Sequence, residues 1–504
     1  MKRREFIKTG SLACGFMATS GMLMNKAFAG DFTESELFNI PRPKDIKLNV
    51  KPLFGIRVPI QLHEGPCRSE DPLTWDRQKE LNNGKREYEE WKETLRKSMP
   101  SFVNLLDPVY VLYAGDHIID LKTWNEITTQ DEDTDVYLLS RYRIPGLGSH
   151  TDKPIVMVGN RCASMDVPAL LKSQGKESYG ALDYEDASSI LDNIRVRKAL
   201  MFTKILIVSD GEWDYEFNAV RSKIKTSVLQ ERFGIGSEII PISEMMDNYA
   251  RLEKDGKYDK EAQRIAKHLA DNAGRNDMAL DDVRKSVMYY LTAKNMMQKY
   301  GCNAFTATCQ EFCVSRLAMK YRVTPCLTHA LLKGEGYVSA CEGDTNVAVA
   351  MAIEMYRFDK APYMGNSFIH DVSKNLVGIH HDVPALKMHG YDKEDSPYHL
   401  IPFTERKWGA TIRYDFSKDK GDDVTFCRLT PNGDKILIVK GKIDGVEGLD
   451  KYGCSLRAVI KVADARKYFK SAQQTGHHFA VVYGDYSEQL SNLADVMGLE
   501  SEIV

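Results

Sequence analysis

The chain has 504 residues, 43% of them hydrophobic and 28% charged, which suits a globular protein of about three domains and excludes a disordered or fibrous one. Its net charge of −3 offers no basic surface of the kind that nucleic acid selects. No run of about 18 apolar residues is present to form a membrane-spanning helix, and the ten scattered cysteines do not form a disulfide framework.

Residues 1–29 read as an export signal and stand apart from the fold. Lys2-Arg3-Arg4-Glu5-Phe6-Ile7-Lys8 precedes a mildly apolar run over Gly10–Met24, and Ala27-Phe28-Ala29 is a small-residue cleavage pattern. The paired arginines followed by Phe6 and Lys8 resemble a twin-arginine signal, which carries folded proteins. An ordinary secretory signal is the alternative. The expected location is the periplasm.

Residues 30–211 alternate short apolar strands with helices. Strands are predicted at Phe54–Leu62, Val109–Tyr113, Val136–Leu139, Ile155–Val158 and Ile205–Val208, and helices at Gln78–Met99 and Asp186–Leu200. This alternation is the pattern of a doubly wound α/β sheet. A second α/β domain is placed at 212–357. It opens with a strand, turn and helix over Phe233–Met246 and continues with long helices over Tyr249–Arg275 and Asp281–Tyr300. Val283, Val287 and Leu291 share one face of the latter.

Next comes a strand, Asn303–Cys309, a helix over Phe312–Lys320, and a further helical turn opened by Thr324-Pro325. A buried strand, Tyr337–Cys341, then leads through the turn Cys341-Glu342-Gly343-Asp344 into an apolar helix from Thr345. Glu311 and Asp344 thus each follow a strand, with a helical crossover between. Parallel neighbours lie ~4.8 Å apart and crossovers are right-handed. Both carboxylates would then face one crevice at the carboxyl ends of the sheet, where open α/β sheets take ligands. Asp344 also suits the N-cap of its helix, and both readings stand at this point.

Residues 358–504 change character. Ser367–Ile379, Trp408–Phe416, Val424–Leu429, Lys435–Ile443 and Leu456–Val462 read as closely spaced strands, with a hairpin turn at Pro431-Asn432-Gly433-Asp434. This suggests a β-rich, barrel-like domain. A helix over Ala463–Thr475, a strand Phe479–Tyr483 and a helix Ser487–Met497 close the chain. Two histidine pairs, His380-His381 and His477-His478, border apolar runs. Imidazoles together with crevice carboxylates make a mixed N/O site that suits Mn²⁺, Mg²⁺, Co²⁺ or Zn²⁺.

Taken in order, Cys309-Gln310-Glu311, Cys341-Glu342-Gly343-Asp344, a histidine near residue 380, and Gly476-His477-His478 with Gly484-Asp485 resemble the L-fucose/L-arabinose isomerase superfamily. The resemblance implies two doubly wound α/β domains followed by a β-rich C-terminal domain. It implies aldose–ketose isomerisation at a divalent metal, commonly Mn²⁺. Glu311 and Asp344 would be carboxylate ligands that also move the proton. His478 would be the imidazole ligand, with His477 beside it and His380 as the further histidine. A homo-oligomer, trimeric or hexameric, is implied as well, with sites completed by neighbouring subunits.

The chemistry suits such a set. Moving hydrogen between C1 and C2 of a sugar needs a polarised carbonyl and a carboxylate that takes and returns the proton through an enediolate. The N-terminal half offers no sugar-recognition motif, so the sugar is open. The alternatives are a metal-dependent epimerase or lyase acting on a carbohydrate, and an exported sugar-binding protein on an isomerase scaffold.

Overall fold

A computed structural model describes residues 37–60, 73–114, 118–210 and 220–504. The expected export signal, residues 1–29, lies outside the described residues. The chain divides into two compact units, one of Ile46–Arg195 and one of Val196–Val504 together with the described residues before Ile46.

The first unit is built on a parallel sheet. β1 (Leu48–Arg57) is long enough to hold two neighbours along one edge, β2 (Val103–Leu105) and then β3 (Val109–Tyr113). Its other edge takes β4 (Val136–Ser140), followed by β5 (Ile155–Val158) and β6 (Ser178–Ala181). Alternate residues Val109, Val111 and Tyr113 of β3 point into a core shared with Leu53, Leu139 and Met157. The helix Arg77–Ser98 starts where Asp76 accepts the backbone N–H groups of Gln78 and Lys79.

The second unit contains a parallel sheet and a β-barrel. The sheet has β7 (Lys204–Val208) and β8 (Gly236–Ile240). After a two-residue β9 (Arg275–Asn276), which pairs elsewhere, it adds β10 (Ala304–Ala307) and β11 (Val338–Cys341). Their spatial order is β11-β10-β7-β8. The sequence boundary near residue 212 leaves β7 with the first domain, whereas in the structure β7 pairs β8 and β10.

Two predicted helices are each broken by left-handed residues. Tyr249–Arg275 contains the junction between helices Ile242–Asp255 and Asp259–Asn272, where Gly256 takes φ +64° and ends the first. Phe312–Lys320 divides at Arg316, φ +61°, between Cys309–Val314 and Leu317–Tyr321.

The remaining strands are β12 (Tyr363–Asp371), β13 (Leu376–His380), β14 (His399–Pro402), β15 (Ala410–Arg413), β16 (Asp423–Leu429), β17 (Lys435–Glu447), β18 (Arg457–Val462), β19 (His478–Tyr483) and β20 (Glu500–Ile503). The predicted strand Ser367–Ile379 is in fact the β12–β13 hairpin, turned at Asn375 with φ +55°, a conformation asparagine tolerates. Strands β16-β19-β12-β13-β18-β17 pair antiparallel in that order, and β17 pairs back onto β16. That last pairing closes the sheet into a barrel and removes its edges. β20 then adds to β17 in parallel, and β14, β15 and β9 form a separate small sheet. The architecture is therefore α/β with a β-rich C-terminal region. None of the described helices is long and apolar enough to cross a membrane.

Candidate metal centre

The parallel sheet of the second unit fixes where a crevice opens. From β7 the chain runs outward to β8 and then returns past β7 to β10, so the strand order reverses between β7 and β10. Ligands of open α/β sheets bind at the carboxyl ends of the strands at such a reversal. Glu311 sits there, in the first turn of the helix after β10. Its Oε2 accepts hydrogen bonds from Thr308 Oγ1 at 2.5 Å and from Ser209 Oγ and the Asp210 N–H at 3.1 Å each. One carboxylate oxygen thus ties the end of β10 to the end of β7.

The neighbouring strand β11 ends in the acidic turn. Glu342 and Gly343 are both left-handed, at φ +60° and +67°, and the Gly343 N–H donates to Ala307 O at the end of β10 at 3.0 Å. A non-glycine residue in that region costs about 1–2 kcal/mol, so the surroundings hold Glu342 there against its own preference. The result aims its side chain at two barrel histidines. Oε1 lies 3.5 Å from His381 Nε2 and Oε2 lies 3.4 Å from His478 Nε2. The two Nε2 atoms are 3.3 Å apart. Both rings are fully buried. Across the sheet, Asn366 of β12 is paired with both His380 and His478. Gly365 beside it lets β12 and β13 close up, since a Cβ there would stand 2.8 Å from the backbone of His380.

A hydrogen bond behind the His478 ring sets its tautomer. His478 Nδ1 faces Asp344 Oδ2 at 3.0 Å and donates to it, leaving its Nε2 as a lone pair. Asp344 Oδ2 also accepts from Arg428 Nη1 at 2.7 Å, and Oδ1 accepts the N–H groups of Asn346 and Val347 at the helix start. Burial opposes ionisation of Asp344, but the Arg428 guanidinium and His478 outweigh it and hold the carboxyl well below its ordinary range. Arg428 is itself fully buried and reaches the carbonyls of Thr475, His478 and Ser222. Asn366 Nδ2 donates to His381 Nε2 at 3.1 Å, and burial, with the neighbouring histidines, keeps that ring neutral. Burial, countered by His478, raises the Glu342 carboxyl.

The Nε2 atoms of His381 and His478 and the Glu342 carboxylate converge on one point. Two imidazole nitrogens and a carboxylate grouped in this way are a donor set that a divalent cation fits. Among the described residues, Glu342, His381 and His478 form the group of such side chains whose ligand atoms lie within 4.8 Å of one another.

Comparison with known proteins bears on this centre. No protein-family model matches the chain. It is similar to two proteins named sulfoquinovose isomerase, from Priestia aryabhattai and Priestia megaterium, each 25% identical over 315 residues, covering 62% of this chain and 66% of theirs. A third protein of that name, from a Clostridium species, is 26% identical over 288 residues, covering 55% of this chain and 60% of its own. The chain thus spans less than two thirds of the length of these relatives, and the likeness is to proteins named as sugar isomerases.

The structure brings together some of the residues singled out from the sequence and separates others. His478 is in the cluster. Asp344, expected as a ligand, stands behind His478 with both oxygens engaged by four donors. Its place among the clustered atoms is taken by Glu342, two residues earlier. Glu311 lies at the end of the adjacent strand, hydrogen-bonded toward β7. His380, expected as the further histidine, faces the ring of Phe368 at 5.6 Å between centroids, and His381 is the member of that pair in the cluster. His477 also lies outside the cluster, its ring 4.7 Å from that of His478, and burial lowers it to about 4. Arg428 had no signal in the sequence. Glu342 stood in the turn singled out from the sequence, but its left-handed backbone, which aims the side chain, is visible only in the structure.

Proposed function

We propose that this protein is a metal-dependent aldose–ketose isomerase acting through an enediolate. The observation that carries the reading is the convergence of Glu342, His381 and His478, with His478 fixed by Asp344. Those three residues would hold the cation; Mn²⁺ is the ion that the resemblance implies, and the mixed nitrogen and oxygen set also takes Zn²⁺ or Fe²⁺. When bound, the metal would polarise the sugar carbonyl and offset negative charge developing on the sugar oxygens.

The chain's own groups supply the rest. Glu311 has Oε2 committed to Thr308, Ser209 and Asp210, which leaves Oε1 as the oxygen for moving a proton between C1 and C2. Asp344 and Arg428 keep the His478 lone pair aimed inward. The names of the relatives make sulfoquinovose the first aldose to assay. A homo-oligomer is part of the proposal, and light scattering checks it, since an active, strictly monomeric species would contradict it. The decisive experiment incubates the Mn²⁺-loaded protein with candidate aldoses in D₂O and follows them by NMR. The proposal expects ketose formation with deuterium entering at the carbon next to the carbonyl. Binding without exchange for every aldose tried would replace it with a sugar-binding protein.

A further inference from the structure

The two acidic turns also carry a pair of thiols. Cys309 opens the helix that bears Glu311, and Cys341 is the last residue of β11, directly before Glu342. Their Sγ atoms are 3.8 Å apart, with no disulfide between them. Cys309 is half-exposed and Cys341 is buried. The backbones that carry them are already fastened, because Ala307 of β10 pairs with Cys341 of β11. A disulfide needs its sulfurs ~2.05 Å apart, so from 3.8 Å the gap closes by about 1.8 Å.

We propose that Cys309 and Cys341 form a reversible disulfide that weakens metal binding at Glu342, His381 and His478. This rests on the metal reading given above. The oxidant is a low-molecular-weight disulfide. The Cys309 thiolate attacks one of its sulfurs, forming a mixed disulfide and releasing one thiolate. Cys341 then gives up its proton and attacks the Cys309 sulfur. The new S–S bond forms as the second small thiol leaves, so two protein thiols are oxidised and one small disulfide is reduced to two thiols. Exposure sets the order, since Cys309 is the member that solvent reaches. Drawing Cys341 toward Cys309 pulls on the next residue, Glu342. That side chain stands 3.4–3.5 Å from its two histidines in a conformation it does not prefer. A small displacement therefore takes the Glu342 carboxylate out of the cluster.

The test treats the full chain with oxidised glutathione, maps disulfides by peptide mass spectrometry, and measures Mn²⁺ retention before and after a reductant. The expected result is a 309–341 linkage with retention about tenfold lower or less, restored on reduction. Cys309→Ser should keep its retention under the oxidant, and Cys341→Ser should do the same if the first variant folds poorly. A map without the 309–341 linkage overturns the proposal, and so does a linkage that leaves retention unchanged. Reduced wild type that holds no Mn²⁺ at all would instead sink the metal reading, while the map would still report on the thiols.

Discussion

Asp344→Asn is the substitution on which the two roles of this residue separate most widely. Aspartate is acceptor-only, and here it receives four donors, two on each oxygen: the N–H groups of Asn346 and Val347, Arg428 Nη1 and His478 Nδ1. Asparagine offers one acceptor oxygen and two donors of its own. If the oxygen keeps the helix cap, the amide NH₂ opposes both Arg428 and His478. Arg428 and Asp344 are both 0% exposed, and removing one partner of a buried pair costs about 3–5 kcal/mol. Arg428 keeps three backbone carbonyls as acceptors, so the lower end of that range is the expectation, a large share of a typical stability of about 5–15 kcal/mol. His478, deprived of an acceptor at Nδ1, turns to the tautomer with its proton on Nε2 and loses the inward lone pair. Loss of such an outer hydrogen bond lowers metal affinity about 10–100-fold. The assay is calorimetric titration of the metal-free protein with Mn²⁺, together with the thermal midpoint. If Asp344 served only as an N-cap, asparagine would be nearly neutral, since it caps about as well. Wild-type affinity and an unchanged midpoint in Asp344→Asn would refute the reasoning.

Two further outcomes follow from the geometry and a third from the sequence. His381→Ala should lower Mn²⁺ occupancy at least about tenfold, whereas His380→Ala should leave it close to wild type; the reverse order, read by metal analysis after gel filtration, would contradict the cluster. His477 is kept neutral by burial, its pKa lowered from 6.5 to about 4. Between those values the unfolded chain binds a proton that the folded chain refuses, so this group makes stability fall as pH drops from 6.5 toward 4. Replacing it with Asn should flatten the pH dependence of the denaturation midpoint in that window, and an unchanged slope would show that the ring is protonated in the fold. Replacing both Arg3 and Arg4 with Lys should leave the precursor inside the cell, and undiminished export of that variant would rule out the twin-arginine route.

Much of the scaffold was legible because period-two and buried apolar runs announce strands. Val109–Tyr113 and Ile155–Val158 were bounded correctly from the sequence, as was the helix Ser487–Met497. Breaks set by single left-handed residues were not legible. Gly256, Arg316 and Asn375 each sit at a break between elements that hydropathy alone carries through. The barrel was visible as closely spaced strands, and the β16–β17 hairpin was legible from its turn, but closure depends on β19 pairing with both β12 and β16, which no local pattern encodes. At the centre, the sequence singled out the turn Cys341–Asp344 and His478, and Glu342 of that turn stands with His478 in the cluster. The sequence missed which carboxylate faces inward, because that depends on the left-handed backbone of Glu342 and on Arg428, 84 residues away from Asp344 in the chain. It also favoured His380 over His381, which lies just beyond the end of β13, where strand alternation no longer says which way a side chain points.

The proposed centre holds one divalent metal between the His381 and His478 imidazoles and the Glu342 carboxylate. Electron spin-echo spectroscopy of the Mn²⁺-loaded protein tests it directly, because nitrogen nuclei bonded to Mn²⁺ modulate the echo. The account predicts nitrogen modulation from two histidines in the wild type, reduced to that of one in His381→Ala. Stoichiometric Mn²⁺ with no nitrogen modulation would contradict it.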